Sequence, residues 1–275
     1  MMIRLPTRIV EKPWGRTDIP AAFGDFGGRR VGEIWFEDPE GDAAPLMVKF
    51  LFTSERLSIQ VHPDDKAAQA AGFRRGKEEC WLVLDAAKDA ELGVGLTSTR
   101  NVEALRGAAL DGSIERLLDW RKPRAGDFIY NPAGTIHAIG SGLIVVEVQQ
   151  NVDLTYRLYD YGRDRELHLD AGLAVAKAAP HHDERDTHIA DMDNRVLVDG
   201  PHFHLLHLAG SGARALLPEA AGRYTLVPLS PGCTVGQEEI ELGDCVLIDR
   251  VDTLSLGDAA RALLCWTDGS QVPPR

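Results

Sequence analysis

The chain has 275 residues, 44% of them apolar, and a formal net charge of −12. That length buries a full core in one large domain or two unequal ones, and the charge, with no Lys/Arg run anywhere, excludes a nucleic-acid footprint. No stretch approaches the roughly 20 apolar residues that span a bilayer and Met1–Pro6 lacks an apolar signal core, so a cytoplasmic protein with no membrane partner is expected.

In chain order, short β-rich runs bounded by Gly, Pro and Asp predict strands at Val31–Glu37, Leu46–Thr53, Cys80–Leu84, Phe128–Asn131 and Leu143–Gln149. Two helical insertions interrupt them. Asp64–Gly72 opens on Pro63-Asp64-Asp65 with Asp64 as N-cap, and apolar residues at helical spacing over Thr99–Trp120 predict a helix with a break at Asp111-Gly112. The polar segment Ala178–Asp193 reads as a linker, with His181, His182 and His188 as solvated linker histidines. Beyond it the strands are His202–Leu208, Tyr224–Leu229, Asp244–Asp249 and Ala262–Thr267. Many short strands with turn signals point to a mostly β barrel or sandwich. Gly126-Asp127 and Gly243-Asp244 each enter an apolar strand, a faint repeat that suggests two related barrels. The four cysteines form no CxxC pair and read as buried free thiols. Gly24-x-x-Gly27-Gly28 lacks the setting of a dinucleotide fingerprint and reads as a loop.

Three constellations carry chemistry. In Ser58-Ile59-Gln60-Val61-His62-Pro63, Gln60 and His62 lie two apart on a strand and project to one face, about 6.6 Å apart. Gly76-Lys77-Glu78-Glu79 leads into the next strand. Gly126-x5-Pro132-x-Gly134-x2-His137 builds a tight turn that aims a histidine inward. Imidazole, carboxylate and amide oxygen together suit zinc or another divalent first-row metal. The pair His202-x-His204 could mimic such a site, but the second Gly-Asp turn has Asp249 in place of proline and no closing histidine.

The Gly126–His137 pattern resembles the second cupin motif. Ser58–Pro63, Gly76-Lys77-x-Glu79, Thr155-Tyr156-Arg157-Leu158-Tyr159-Asp160-Tyr161, Glu11-Lys12-Pro13-Trp14-Gly15 and Gly32-Glu33-Ile34-Trp35 resemble the short bacterial form of type I mannose-6-phosphate isomerases, from about residue 8 to 165. The resemblance implies a metal-binding cupin domain with helical insertions over residues 1–177, a linker at 178–193 and a smaller cupin-like β domain without metal ligands at 194–275. It implies one Zn2+ held by Gln60, His62, Glu79 and His137, with Arg157 as active-site arginine and Ser58 and Lys77 as substrate contacts. Gln60 stands where the general cupin pattern has histidine and Ser141 where it often has asparagine, as expected in the isomerase branch. The implied activity interconverts mannose 6-phosphate and fructose 6-phosphate through a cis-enediol, with a small sugar phosphate as partner and a monomer or homodimer as the working unit.

For the proton-moving base, Glu147 is the first choice and Lys77 with a lowered pKa the alternative. Lys77 and Arg157 also supply the local cations an anionic substrate needs against the global charge. The rival readings are another cupin metalloenzyme, such as a dioxygenase, and a non-catalytic sugar sensor.

Overall fold

A computed structural model describes residues 1–219 and 222–269. Its architecture is mostly β, as expected, in two halves. In the first half, a seven-stranded antiparallel sheet faces a five-stranded one. The seven run in the order Thr187–His188, Asp127–Asn131, Glu79–Ala86, Leu143–Gln150, Leu46–Phe52, Val31–Phe36, Thr7–Arg16. The five run Tyr156–Tyr159, Ile59–Val61, His137–Ile139, Leu92–Leu96, Leu118–Arg121. The second half packs a six-stranded sheet against a three-stranded one, Glu238–Ile240, Cys233–Val235, Leu254–Leu256.

Alternation along the strands positions the site. In Leu143–Gln150, Ile144, Val146 and Val148 face the core shared with the second half, whereas Leu143 and Val145 join Trp81, Val83 and Ile139 inside the first barrel. Period two then carries Glu147 and Gln149 to the inner face as well. The barrel interior is therefore an apolar plug at one end and a polar chamber at the other.

The helix Asp65–Ala70 starts as expected, with the Asp64 side chain accepting from the Ala67 N–H at 2.8 Å. The longer helix ends at the expected break, Asp111-Gly112, and does not resume beyond it. It covers Val102–Asp111, stops at Gly112 in the left-handed region, and gives way to a 3-10 turn and the strand Leu118–Arg121. Beyond Gly112, Leu118 and Trp120 pair with Leu96 and Gly93 rather than continuing the helix. Several strands escaped the sequence reading, including Met2–Arg4, Thr7–Arg16, Tyr156–Tyr159 and Arg195–Asp199, as did the helix Leu169–Val175.

The segment 178–193 is anchored at His181 and Asp186, while His182 and His188 are exposed as expected. Thr187 and His188 pair with Phe128 and Asp127, and His181 is buried with Nε2 3.1 Å from Asp186. Asp186 explains the difference: it also accepts from the Tyr130 backbone and from Arg121, so the polar run is satisfied internally. The repeated Gly-Asp turn is real geometry. Asp127 Oδ2 accepts from Arg124 N, and Asp244 Oδ2 from Glu241 N, each at 2.9 Å.

The two halves share one core. Phe128, Tyr130, Val146 and Cys80 pack with Phe203, Leu205, Val227 and Cys265 in a single cluster. The strand Met2–Arg4 belongs to the second half's sheet, paired with Val246–Ile248.

Candidate metal centre and active site

Three neighbouring strands align the chamber floor. His137 pairs with Gln60, and Gln60 with Arg157, so the three side chains share a row across the five-stranded sheet. Glu79 reaches in from the facing sheet. His62, Glu79 and His137 are all buried, and their ligand atoms lie within 4.8 Å of one another.

Each histidine is oriented through its Nδ1, which sits 2.9 Å from the Leu154 carbonyl in His62 and 2.9 Å from the Thr135 carbonyl in His137. Donation from Nδ1 leaves Nε2 with a free lone pair aimed at Glu79, at 3.5 Å and 3.4 Å. Burial, then the Lys77 ammonium, pulls His62 down to about 4; burial also lowers His137. Both are neutral at pH 7, the form that ligates. Burial works against the Glu79 carboxylate, but Lys77 and the two histidines outweigh it and hold it well below the usual range. Glu79 Oε1 accepts from Asn131 at 2.7 Å, whereas Oε2 is buried without a hydrogen bond, with the Lys77 ammonium at 2.9 Å and His62 Nε2 at 3.5 Å. Two oriented imidazoles and an underused carboxylate oxygen are a donor set that fits a divalent cation.

Gln60 Nε2 lies 3.2 Å from His137 Nε2, and its Oε1 accepts from Ser58 at 3.0 Å. Exchanging the two amide ends keeps the Ser58 contact and turns the oxygen toward His137, the orientation ligation requires.

In front of this group opens a cleft of about 370 Å³, lined by Ser58, Gln60, Lys77, Glu147 and Arg157, all singled out from the sequence. Glu147 is held on both oxygens: Trp81 Nε1–H donates to Oε2 at 3.1 Å, and the Lys49 ammonium lies 3.3 Å from Oε1. Lys77 sits between the acids, 2.9 Å from Glu79, 3.9 Å from Glu147 and 3.2 Å from His62 Nε2. Burial pulls its ammonium down, but Glu147 and Glu79 push it up beyond the ordinary lysine range.

The sequence reading missed Lys49, Arg165 and His168, which also line the cleft. Lys49 carried a signal: it is the one charge in the apolar run Leu46–Phe52, at an inward position. The histidines of the second half stand elsewhere. His204 stacks on Trp266 with ring centroids 4.9 Å apart and binds Asp199.

No family model matches the chain. It is 34% identical over 230 residues to "Mannose-6-phosphate isomerase" of Streptococcus mutans, covering 78% of this chain and 71% of that one. The chain belongs to the mannose-6-phosphate isomerase family. It is also 38% identical over 209 residues to "Mannose-6-phosphate isomerase ManA" of Bacillus subtilis, an alignment spanning 69% of this chain and 66% of that relative's length. A crystal structure of the mannose 6-phosphate isomerase from Bacillus subtilis superimposes with a TM-score of 0.76 at 26% identity, over 96% of this chain and 99% of that one. The structural likeness thus extends past residue 165, through the second half.

Proposed function

We propose that this family member is a metal-dependent aldose–ketose isomerase that interconverts mannose 6-phosphate and fructose 6-phosphate through a cis-enediol. The observation that carries the reading is the buried His62–Glu79–His137 group lying directly behind Gln60 and Lys77, at the floor of a cleft that also holds Glu147 and Arg157.

His62, Glu79, His137 and the Gln60 amide oxygen would hold one zinc ion, which when bound supplies Lewis-acid stabilisation of negative charge on substrate oxygens. The remaining work falls to side chains. Glu147, pinned by Trp81 and Lys49 so that it cannot rotate, takes the proton from one of the two reacting carbons and returns it to the other. Lys77, kept protonated by its two acids, donates to the oxygen that becomes negative. Arg157 has both Nη atoms without a partner among the described residues, its Nε bonding the Glu166 carbonyl at 2.9 Å, and is placed to meet the anionic end. The overall charge of −12 makes such local cations necessary.

No helix among the described residues is long and apolar enough to cross a membrane, and all four cysteines are free and buried. Both fit a cytoplasmic setting for the enzyme, acting as a monomer or homodimer.

The test is to follow ketose formation from mannose 6-phosphate with zinc-loaded and chelator-stripped protein. Turnover that is lost on stripping and restored by zinc is expected. Substrate binding without turnover in the loaded protein would replace the enzyme with a sensor.

A further inference from the structure

Lys77 is fully engaged at the metal end of the cleft, by Glu79 at 2.9 Å and His62 at 3.2 Å. Anion recognition at the other end therefore needs other groups. The floor residues Lys49, Lys77 and Glu147 are buried, whereas Arg157, Arg165 and His168 are half-buried and line the same cleft at its mouth.

Resting on the isomerase reading, we propose that Arg165 and His168 join Arg157 in the subsite that takes the phosphate of the sugar. The geometry begins with the sheet edge. Tyr156–Tyr159 is the outermost of the five strands, so the backbone of Arg157 on that edge has no strand partner outside it. His168 fills the gap: its N–H donates to the Arg157 carbonyl at 2.8 Å, and its Nδ1 accepts from the Arg157 N–H at 3.3 Å. Accepting through Nδ1 places the ring hydrogen on Nε2, which lies 3.9 Å from the exposed Glu166 carboxylate and is available as a donor on a residue that lines the cleft.

Arg165 is anchored in the same loop. Its Nε and Nη2 donate to the buried Asp160 at 2.6 Å and 2.7 Å, which fixes the guanidinium plane and leaves Nη1 without a partner among the described residues. Arg157 likewise keeps both Nη atoms uncommitted after bonding the Glu166 carbonyl. Rigid guanidinium forks with unspent N–H groups suit a tetrahedral phosphate.

Electrostatics supports the grouping. Burial, then the neighbouring Arg165, lowers Arg157 from its ordinary value, and burial, then Arg157, lowers His168. An anion placed among the three would offset the repulsion between the cations, adding to what Asp160, Glu166 and Asp153 already offset. The span also fits. His137, Gln60 and Arg157 occupy adjacent strands about 4.8 Å apart, so the Arg157 backbone stands one strand from Gln60 and roughly 10 Å from His137, the latter on the scale of a hexose with its phosphate.

Two variants test the subsite. Arg165→Lys keeps a cation beside Asp160 and removes Nη1, while His168→Gln removes the ring donor; melting curves identify a variant that is not folded, in which case the other decides. The readouts are KM and kcat for mannose 6-phosphate, and the inhibition constant of inorganic phosphate in the same assay. Expected is a rise of about tenfold in KM and a parallel rise in the phosphate inhibition constant, with kcat little changed, as for the loss of one charge-assisted hydrogen bond. Unchanged KM and inhibition constant, or a fall in kcat alone, overturns the proposal. If the wild type turns over nothing, the isomerase reading fails by itself. Calorimetric titration of the metal-loaded protein with inorganic phosphate then decides: binding that weakens in the variants upholds the subsite, and no binding by the wild type overturns it.

Discussion

Glu79 is the residue on which the two functions of the chamber meet, since one carboxylate oxygen answers Asn131 and faces His137 while the other lies beside Lys77 and His62. Replacing it with glutamine removes the charge that Lys77 and the metal both need. Glu79→Gln is expected to abolish zinc retention in elemental analysis, and to destabilise the fold by about 2–4 kcal/mol in urea titration because a buried ammonium loses an anion. The histidines predict a pH effect of definite sign. His62 is neutral in the fold down to about 4, whereas in the unfolded chain it protonates below 6.5. The unfolded chain therefore binds more protons between these values, and stability falls as pH falls through that window. For metal-free protein the loss is on the order of 3 kcal/mol from His62 alone, with His137 and Glu79 acting in the same direction, and thermal melting between pH 7 and 4 checks it. These residues were legible because motif spacing exposes them. Arg165 was not, and Lys49 showed only as a lone charge in an apolar run, since their relevance exists only once strands 46–52 and 143–150, and the loop after Tyr159, are brought to one cleft.

At the scale of elements, the site is built by short pieces placed through backbone contacts that admit no side chain. A Cβ on Gly76 would sit 2.3 Å from the Asp64 carbonyl carbon and 2.5 Å from the Asp65 nitrogen, with no flexible group to yield. Gly76→Ala therefore has to push Lys77 and Glu79 away from the chamber. The expected outcome is a loss of stability of about 1–3 kcal/mol or more, together with weakened zinc affinity, read by denaturant titration and by competition with a chromogenic chelator. Longer strands such as Leu143–Gln150 announce themselves by continuous β-branched residues, and their limits agree with the sequence to within one residue. Ile59–Val61 and His137–Ile139 are three residues each. Nothing so short has a period of its own, and it was the liganding motifs that marked them. The stretch after Gly112 misled for the opposite reason: Ile114, Leu117 and Leu118 keep helical spacing, yet they are buried by a 3-10 turn and a strand against the five-stranded sheet.

On the scale of the whole molecule, composition and turn spacing exposed the mostly β class and the repeated turn, but a shared core between the halves has no local signature. Phe203 illustrates it. The ring is buried in the second half and packs near Tyr130, whose hydroxyl donates to Glu78, next to the ligand Glu79. Phe203→Ala is expected to cost about 3–5 kcal/mol, and to do so without splitting the transition: calorimetric and van't Hoff enthalpies of unfolding should still agree, as for one cooperative unit. Two separate transitions would show that the halves melt independently. The strand Met2–Arg4 adds a constraint of time to this constraint of space. Its partner Val246–Ile248 lies far later in the chain and is made long after it. Until then the early strand has no sheet to join, and afterwards residues 246–248 would present a bare edge if it failed to return. Residues 2–4 thus act as a late-arriving seal, and the steps of assembly run in an order different from the order of synthesis.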